Sequence, residues 1–127
     1  MKTSATKIFS FDAAHSLPGH SGKCAAVHGH TYRLEVTVAR YGSDLIIGGS
    51  SDGMIIDFGD LKAIVYEEII DKADHRMLND IYPFRTTAEN MAQYFYKILQ
   101  KRLMPMGIEV NSIRLWETPT AYVEVKK

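Results

Sequence analysis

Two runs near the start of the chain alternate at period two: Phe9, Phe11, Ala13 and His15 in the first, then His30, Tyr32, Leu34, Val36 and Val38, with polar Arg33, Glu35 and Thr37 interleaved in the second. Successive side chains of a strand point to opposite faces, so each run predicts a β-strand with one buried face. The segment between them, Ser16 to Gly29, is rich in Gly, Ser and His. It is long for a hairpin loop, which makes it a candidate for function. A second, flexible connection is expected over 41–53, around Gly48-Gly49-Ser50-Ser51.

Downstream the period changes. Asp57 can cap a helix whose apolar Leu61, Ile64, Val65 and Ile69 keep three-four spacing, predicting an amphipathic segment to about Lys72. Thr86-Thr87-Ala88-Glu89 has the capping-box pattern, in which hydroxyl and carboxylate each satisfy an orphan backbone donor. The helix it starts is expected to run to about Met104, with Met91, Tyr94 or Phe95, Ile98 and Leu103 inward, and to end at Pro105 and Gly107. Ile113, Leu115 and Glu117 alternate on a third strand and Val123 and Val125 on a fourth, joined by a turn at Pro119 and Thr120. The order ββααββ predicts one α+β domain over 1–127, an antiparallel four-stranded sheet with two helices on one face.

A chain of 127 residues suffices for one core. Its formal net charge of zero argues against a general nucleic-acid partner, though a local basic cluster can still hold a phosphorylated small molecule. Cys24 is the only cysteine, so no intrachain disulfide forms and a cytoplasmic location is expected. The polar start predicts no secretory leader, and no stretch approaches the roughly 20 apolar residues of a membrane span.

The sharpest chemical signal is His28-Gly29-His30. Residues two apart on a strand share a side, so both imidazoles can meet one ion, and pairing of the first two strands can bring His15 alongside. Three neutral imidazoles suit zinc, with a fourth position open for water or substrate. The plain alternative is a chance His-x-His whose rings are each hydrogen-bonded near the core. Gly29 is expected where backbone bends or approaches closely. Cys24 admits three readings: fourth ligand of a closed structural site, reactive thiol beside the metal, or inert buried cysteine. Asp74-His75 follows the first helix, where a carboxylate can orient an imidazole as an acid/base pair; such a pair alone is more often a cap or surface ion pair. Glu117 shares the alternation of Leu115 and is expected inward. It then needs either a basic partner such as Arg114 or the adjacent N–H groups of an amino-pyrimidinone ring. Arg85, Lys23 and Arg33 are candidate phosphate contacts or plain solvated charges, and His20 is a loop histidine.

Six segments in order, Phe9 to His15, Cys24 to His30, Gly53 to Lys62, Asp74 to Asn79, Thr87 to Asn90 and Trp116 to Thr118, resemble the 6-pyruvoyl-tetrahydropterin synthase/6-carboxytetrahydropterin synthase family. The resemblance implies the tunnelling fold (T-fold), whose subunits join sheets into a barrel, and so a homo-oligomer, a hexamer of two trimers with sites at subunit contacts. It implies zinc on His15, His28 and His30, Cys24 as general base, and Asp74 with His75 as the proton-shuttling pair beside it. Glu117 resembles the carboxylate that grips the pterin ring, framed by Thr86, Thr87 and Glu89. The implied substrate is dihydroneopterin triphosphate.

The gap between Cys24 and His28 resembles the 6-carboxytetrahydropterin branch of queuosine and deazapurine biosynthesis, which releases triphosphate and acetaldehyde. Against that branch, Thr86-Thr87 resembles instead the pyruvoyl enzymes, which keep the three-carbon side chain, and the stretch at 48–51 is longer than the usual turn before Gly53-Met54. A third branch, making a hydroxymethyl pterin, usually carries Glu where Cys24 stands. Readings from other classes are a non-catalytic zinc-stabilised interaction domain and a zinc hydrolase acting on a purine-like ring.

Overall fold

The two alternating runs form the central strand pair of the molecule, described over residues 1–127 by a computed structural model. β1 (Ala5–His15) and β2 (His28–Arg40) pair antiparallel, with Phe9 opposite Leu34, Phe11 opposite Tyr32, Ala13 opposite His30 and His15 opposite His28. β3 (Arg76–Met77) lies parallel to β1 at Ala13 and Ala14. β4 (Ile108–Thr118) runs along the other side of β2, and β5 (Ala121–Lys126) returns beside it, giving the order β3-β1-β2-β4-β5. The sheet therefore has five strands and is mixed, where four antiparallel strands were expected. A strand of two residues carries no alternation that a sequence can display.

Asp57 caps α1 (Phe58–Val65), its side chain accepting the Gly59 N–H at 2.7 Å. The helix continues through a π-helical turn, Tyr66–Ile70, into α2 (Asp71–Ala73), so the helical run ends within a residue of the expected Lys72. Leu61, Ile64, Val65, Ile69, Ile70 and Ala73 are its buried side. A short helix absent from the expected order, α3 (Leu78–Ile81), follows β3. α4 (Ala88–Leu103) is capped by Thr87, whose hydroxyl accepts the Asn90 N–H at 3.1 Å. The capping pattern offers two threonines, and the Thr86 side chain is buried against His15 instead. Along α4, Phe95 rather than Tyr94 is fully buried, and Leu99 takes the place expected for Ile98. Gly107, at φ 75°, closes the helix in the left-handed conformation that glycine adopts without a Cβ penalty.

Both helical layers cover one face of the sheet and enclose a single core. The opposite face is open. On it Trp116 donates to the Glu35 carboxylate, the Arg33 guanidinium lies 5.5 Å from the Trp116 ring, and Arg114 lies 4.9 Å from that of Tyr122. The connection over 41–53 folds on itself, Ile46 donating to the Met54 carbonyl at 2.9 Å and Gly53 to that of Ile46 at 2.8 Å. No helix is long and apolar enough to cross a membrane.

Candidate active site

The register of β1 with β2 sets His15, His28 and His30 on the helix-covered face at one end of the strand pair. Their donor nitrogens lie within 4.8 Å of one another. His15 is fully buried, with Nδ1 2.8 Å from the Thr86 carbonyl oxygen and 3.1 Å from its hydroxyl. His28 Nδ1 lies 2.8 Å from the Ala26 carbonyl. A ring nitrogen facing a carbonyl carries the hydrogen, so in both residues Nε2 carries the lone pair. The Nε2 atoms of all three rings are buried without a hydrogen-bond partner. Burial lowers the pKa of His15 against the pull of the Thr86 carbonyl, and lowers that of His30 against the pull of Glu117. Burial thus favours the neutral, ligand form of these rings. Two such lone pairs converging with a third partnerless ring nitrogen, that of His30, fit a divalent cation.

Glu117 reaches the same point. Its Oε1 lies 3.8 Å from His30 Nε2 and 4.0 Å from His15 Nε2. The β4–β5 ladder slips between Trp116 and Thr118, so Glu117 is the extra residue of a bulge, a device that re-aims a side chain. The basic partner considered for it, Arg114, instead donates to Glu124 at 2.8 Å. Below His30, the buried Tyr32 hydroxyl has no partner, and burial pushes this phenol far above its ordinary range. Tyr32 was expected only as core; its continuation of the His28, His30 alternation was the available signal. His30, Tyr32, Glu117, Trp116 and Pro119 contribute to the lining of a cleft of about 990 Å³, at the upper end for small-molecule sites.

Asp74 and His75 form a second cluster. His75 Nδ1 lies 3.0 Å from Asp74 Oδ2, with the His75 backbone held left-handed at φ 59°. Two bonds to the β1 backbone fix it: the His75 N–H donates to the Asp12 carbonyl at 2.6 Å, and the Asp12 N–H donates to Asp74 Oδ1 at 3.0 Å. The latter bond, with His75 beside it, holds the Asp74 carboxyl below its usual range. The Asp12 carboxylate in turn accepts from the Thr31 hydroxyl. Asp12 and Thr31 escaped the sequence reading, since exposed polar positions on a strand carry no signal. Asp12 alternates with His15, so this cluster occupies the open face while the imidazoles occupy the covered one. Within one chain the pair does not sit beside the imidazoles. Cys24, half-buried in a turn at Lys23–Ala25, is not among the donors that converge with the histidines.

A family model described as 6-pyruvoyl tetrahydropterin synthase matches residues 4–127. The chain belongs to the 6-pyruvoyl tetrahydropterin synthase family. It is 39% identical to the 6-carboxy-5,6,7,8-tetrahydropterin synthase of Haemophilus influenzae, covering 96% of this chain and 97% of that protein. It is also 39% identical to the protein of that name from Synechocystis, over 91% of this chain and 86% of the relative. Among solved structures, 6-pyruvoyl tetrahydropterin synthase of Caenorhabditis elegans superposes with a TM-score of 0.80 at 25% identity, covering 98% of this chain and 95% of the other. The fold is the T-fold of these synthases.

Other residues singled out in this synthase-family chain fall in varied places. Thr86 is buried against His15, Thr87 caps α4, and Glu89 is exposed in the first turn of α4. Gly29 lies in regular strand, where an added Cβ would make only an ordinary 3.5 Å contact with the Ala13 carbonyl. No bend or close approach requires it, contrary to expectation. It leaves clear the open-face pocket that it lines with Asp12, Thr31, His75 and Arg76. Arg33 is engaged with Glu35 at 3.5 Å, and exposed His20 accepts the Gly22 N–H at 2.9 Å.

Proposed function

We propose that the chain is a zinc-dependent 6-carboxy-5,6,7,8-tetrahydropterin synthase, a lyase converting 7,8-dihydroneopterin triphosphate with release of triphosphate and acetaldehyde. The convergence of three buried, partnerless Nε2 atoms beside the Glu117 carboxylate carries this reading, and the names of the relatives from Haemophilus and Synechocystis support the carboxy product. Zinc, when bound by His15, His28 and His30, supplies Lewis acidity toward side-chain hydroxyls of the substrate. Thr86 fixes the tautomer of His15 from behind. Cys24 acts as general base from the loop between β1 and β2. His75, oriented by Asp74, relays the proton. The Glu117 carboxylate takes the paired N–H groups of the pterin ring, with Thr86, Thr87 and Glu89 framing it.

The working form is a cytoplasmic homo-oligomer, a hexamer of two trimers serving queuosine biosynthesis, with the site shared between copies. The separation of the Asp74-His75 cluster from the imidazoles by the thickness of the sheet supports this sharing. A second reading, 6-pyruvoyl-tetrahydropterin synthase, draws on Thr86-Thr87 and on the Caenorhabditis elegans superposition. Mass analysis of the product from the zinc-loaded protein and dihydroneopterin triphosphate decides between them. A 6-carboxy pterin with acetaldehyde is expected; a retained three-carbon side chain establishes the second reading, and an unchanged substrate sinks both.

A further inference from the structure

The Glu117 carboxylate has no hydrogen bond and no Lys or Arg partner; the only groups of opposite charge potential near it are His15 and His30. Its side chain is 32% exposed, so it is partly withdrawn from water. The β4–β5 ladder slips at this residue, and its carboxylate lies beside the point where the partnerless Nε2 atoms of the imidazoles converge. Donors around a tetrahedral zinc with bonds of 2.0–2.2 Å stand roughly 3.3–3.6 Å apart. The observed 3.8 and 4.0 Å from Glu117 Oε1 to two of the imidazole nitrogens fall a few tenths of an ångström outside that spacing, within reach of a small side-chain rotation.

We infer that Glu117 is the fourth donor to the cation when no substrate is bound, in addition to any contact with a substrate ring. The inference rests on the three-histidine metal reading and extends it: the open position of the site is closed by a carboxylate in the resting protein, and an incoming hydroxyl exchanges with it. The exchange frees the carboxylate to accept the N–H groups of the ring, so one residue serves both states. A carboxylate also offsets the charge of a dication held by three neutral rings, which a water molecule does not.

The test is zinc affinity, measured by competition with a chromophoric chelator on the substrate-free protein, for wild type, Glu117→Gln and Glu124→Gln. Glu124, paired with Arg114, is a control for net charge. Wild type is expected to bind one zinc per chain, E117Q to bind it about 10- to 100-fold more weakly, and E124Q to match wild type. Cobalt(II) substitution gives a second readout: the visible absorption of the E117Q complex should differ from wild type in band position and intensity. Equal affinities and superimposable cobalt spectra for wild type and E117Q overturn the inference while leaving the three-histidine site standing. Equal weakening in E124Q overturns it too, as a charge effect. A wild type that binds no zinc removes the metal reading itself.

Discussion

His15 and His28 are equivalent on paper and unlike in place. His15 is fully buried, and its ring satisfies the Thr86 carbonyl, whereas His28 is partly exposed and its only hydrogen bond is to the Ala26 carbonyl of its own loop. Both alanine variants should lose zinc. In the metal-free protein, however, His15→Ala leaves a cavity and an unpaired buried carbonyl, at a cost of about 3 kcal/mol, while His28→Ala should cost less than about 1 kcal/mol. Urea unfolding of the two apo-variants checks this, and equal losses would show that the burial difference has no energetic weight. Burial also gives a pH signature. His15 and His30 titrate below the ordinary 6.5 in the folded state, so between that value and their folded pKa the unfolded chain binds more protons. The stability they confer is complete above about pH 6.5 and is lost as pH falls through that window. Apo-protein melting should drop from pH 7 to 5.5, less steeply in His15→Gln; equal slopes would discount the buried rings. The imidazoles were legible because alternation and strand pairing act on neighbours two residues apart. The direction of Glu117 was legible only as far as its face, since a bulge leaves no mark in the alternation before it.

At the scale of elements, the largest departures from the sequence reading share one cause. β3 is held to β1 where the Asp12 backbone accepts the His75 N–H and donates to the Asp74 carboxylate, the latter a contact sixty-two positions apart that no local pattern encodes. The start of α4 shows the same competition at short range. Either threonine can cap; His15 claims Thr86, and Thr87 caps the helix. Thr87→Ala should therefore cost about 1 kcal/mol and leave zinc affinity at the wild-type value. Thr86→Val keeps the cap and the carbonyl but removes the hydroxyl facing His15, and should weaken zinc binding instead. Calorimetry paired with zinc titration separates the two, and a Thr87→Ala protein with wild-type stability would show that the Thr87 hydroxyl does not cap the helix. By contrast the helical run from Asp57 and the four long strands were legible from period alone, because amphipathic faces of that length bury the core whatever else the loops do.

The whole molecule has an asymmetry that a single copy does not resolve. β5 has no partner on its outer side, and β1 is covered by β3 only at Ala13 and Ala14, so both edges of the sheet offer unpaired backbone groups. Such edges are templates for pairing with another chain. The Asp74-His75 pair faces the open side of the sheet and the imidazoles the covered side. In the proposed oligomer, joining copies edge to edge would let the His75 of one copy serve the Cys24 loop of the next. If the site is shared in this way, Cys24→Ala and His75→Ala are each inactive alone but complementary together. An oligomer assembled from equal amounts of the two contains sites in which the intact cysteine of one copy meets the intact histidine of another. With random assembly about a quarter of sites are whole, so co-refolded mixtures should recover about a quarter of wild-type turnover. A mixed oligomer that forms, as shown by mass, but stays inactive would place Cys24 and His75 in the same chain's site, and the open-face cluster would then need a loop movement rather than a neighbour to reach the chemistry.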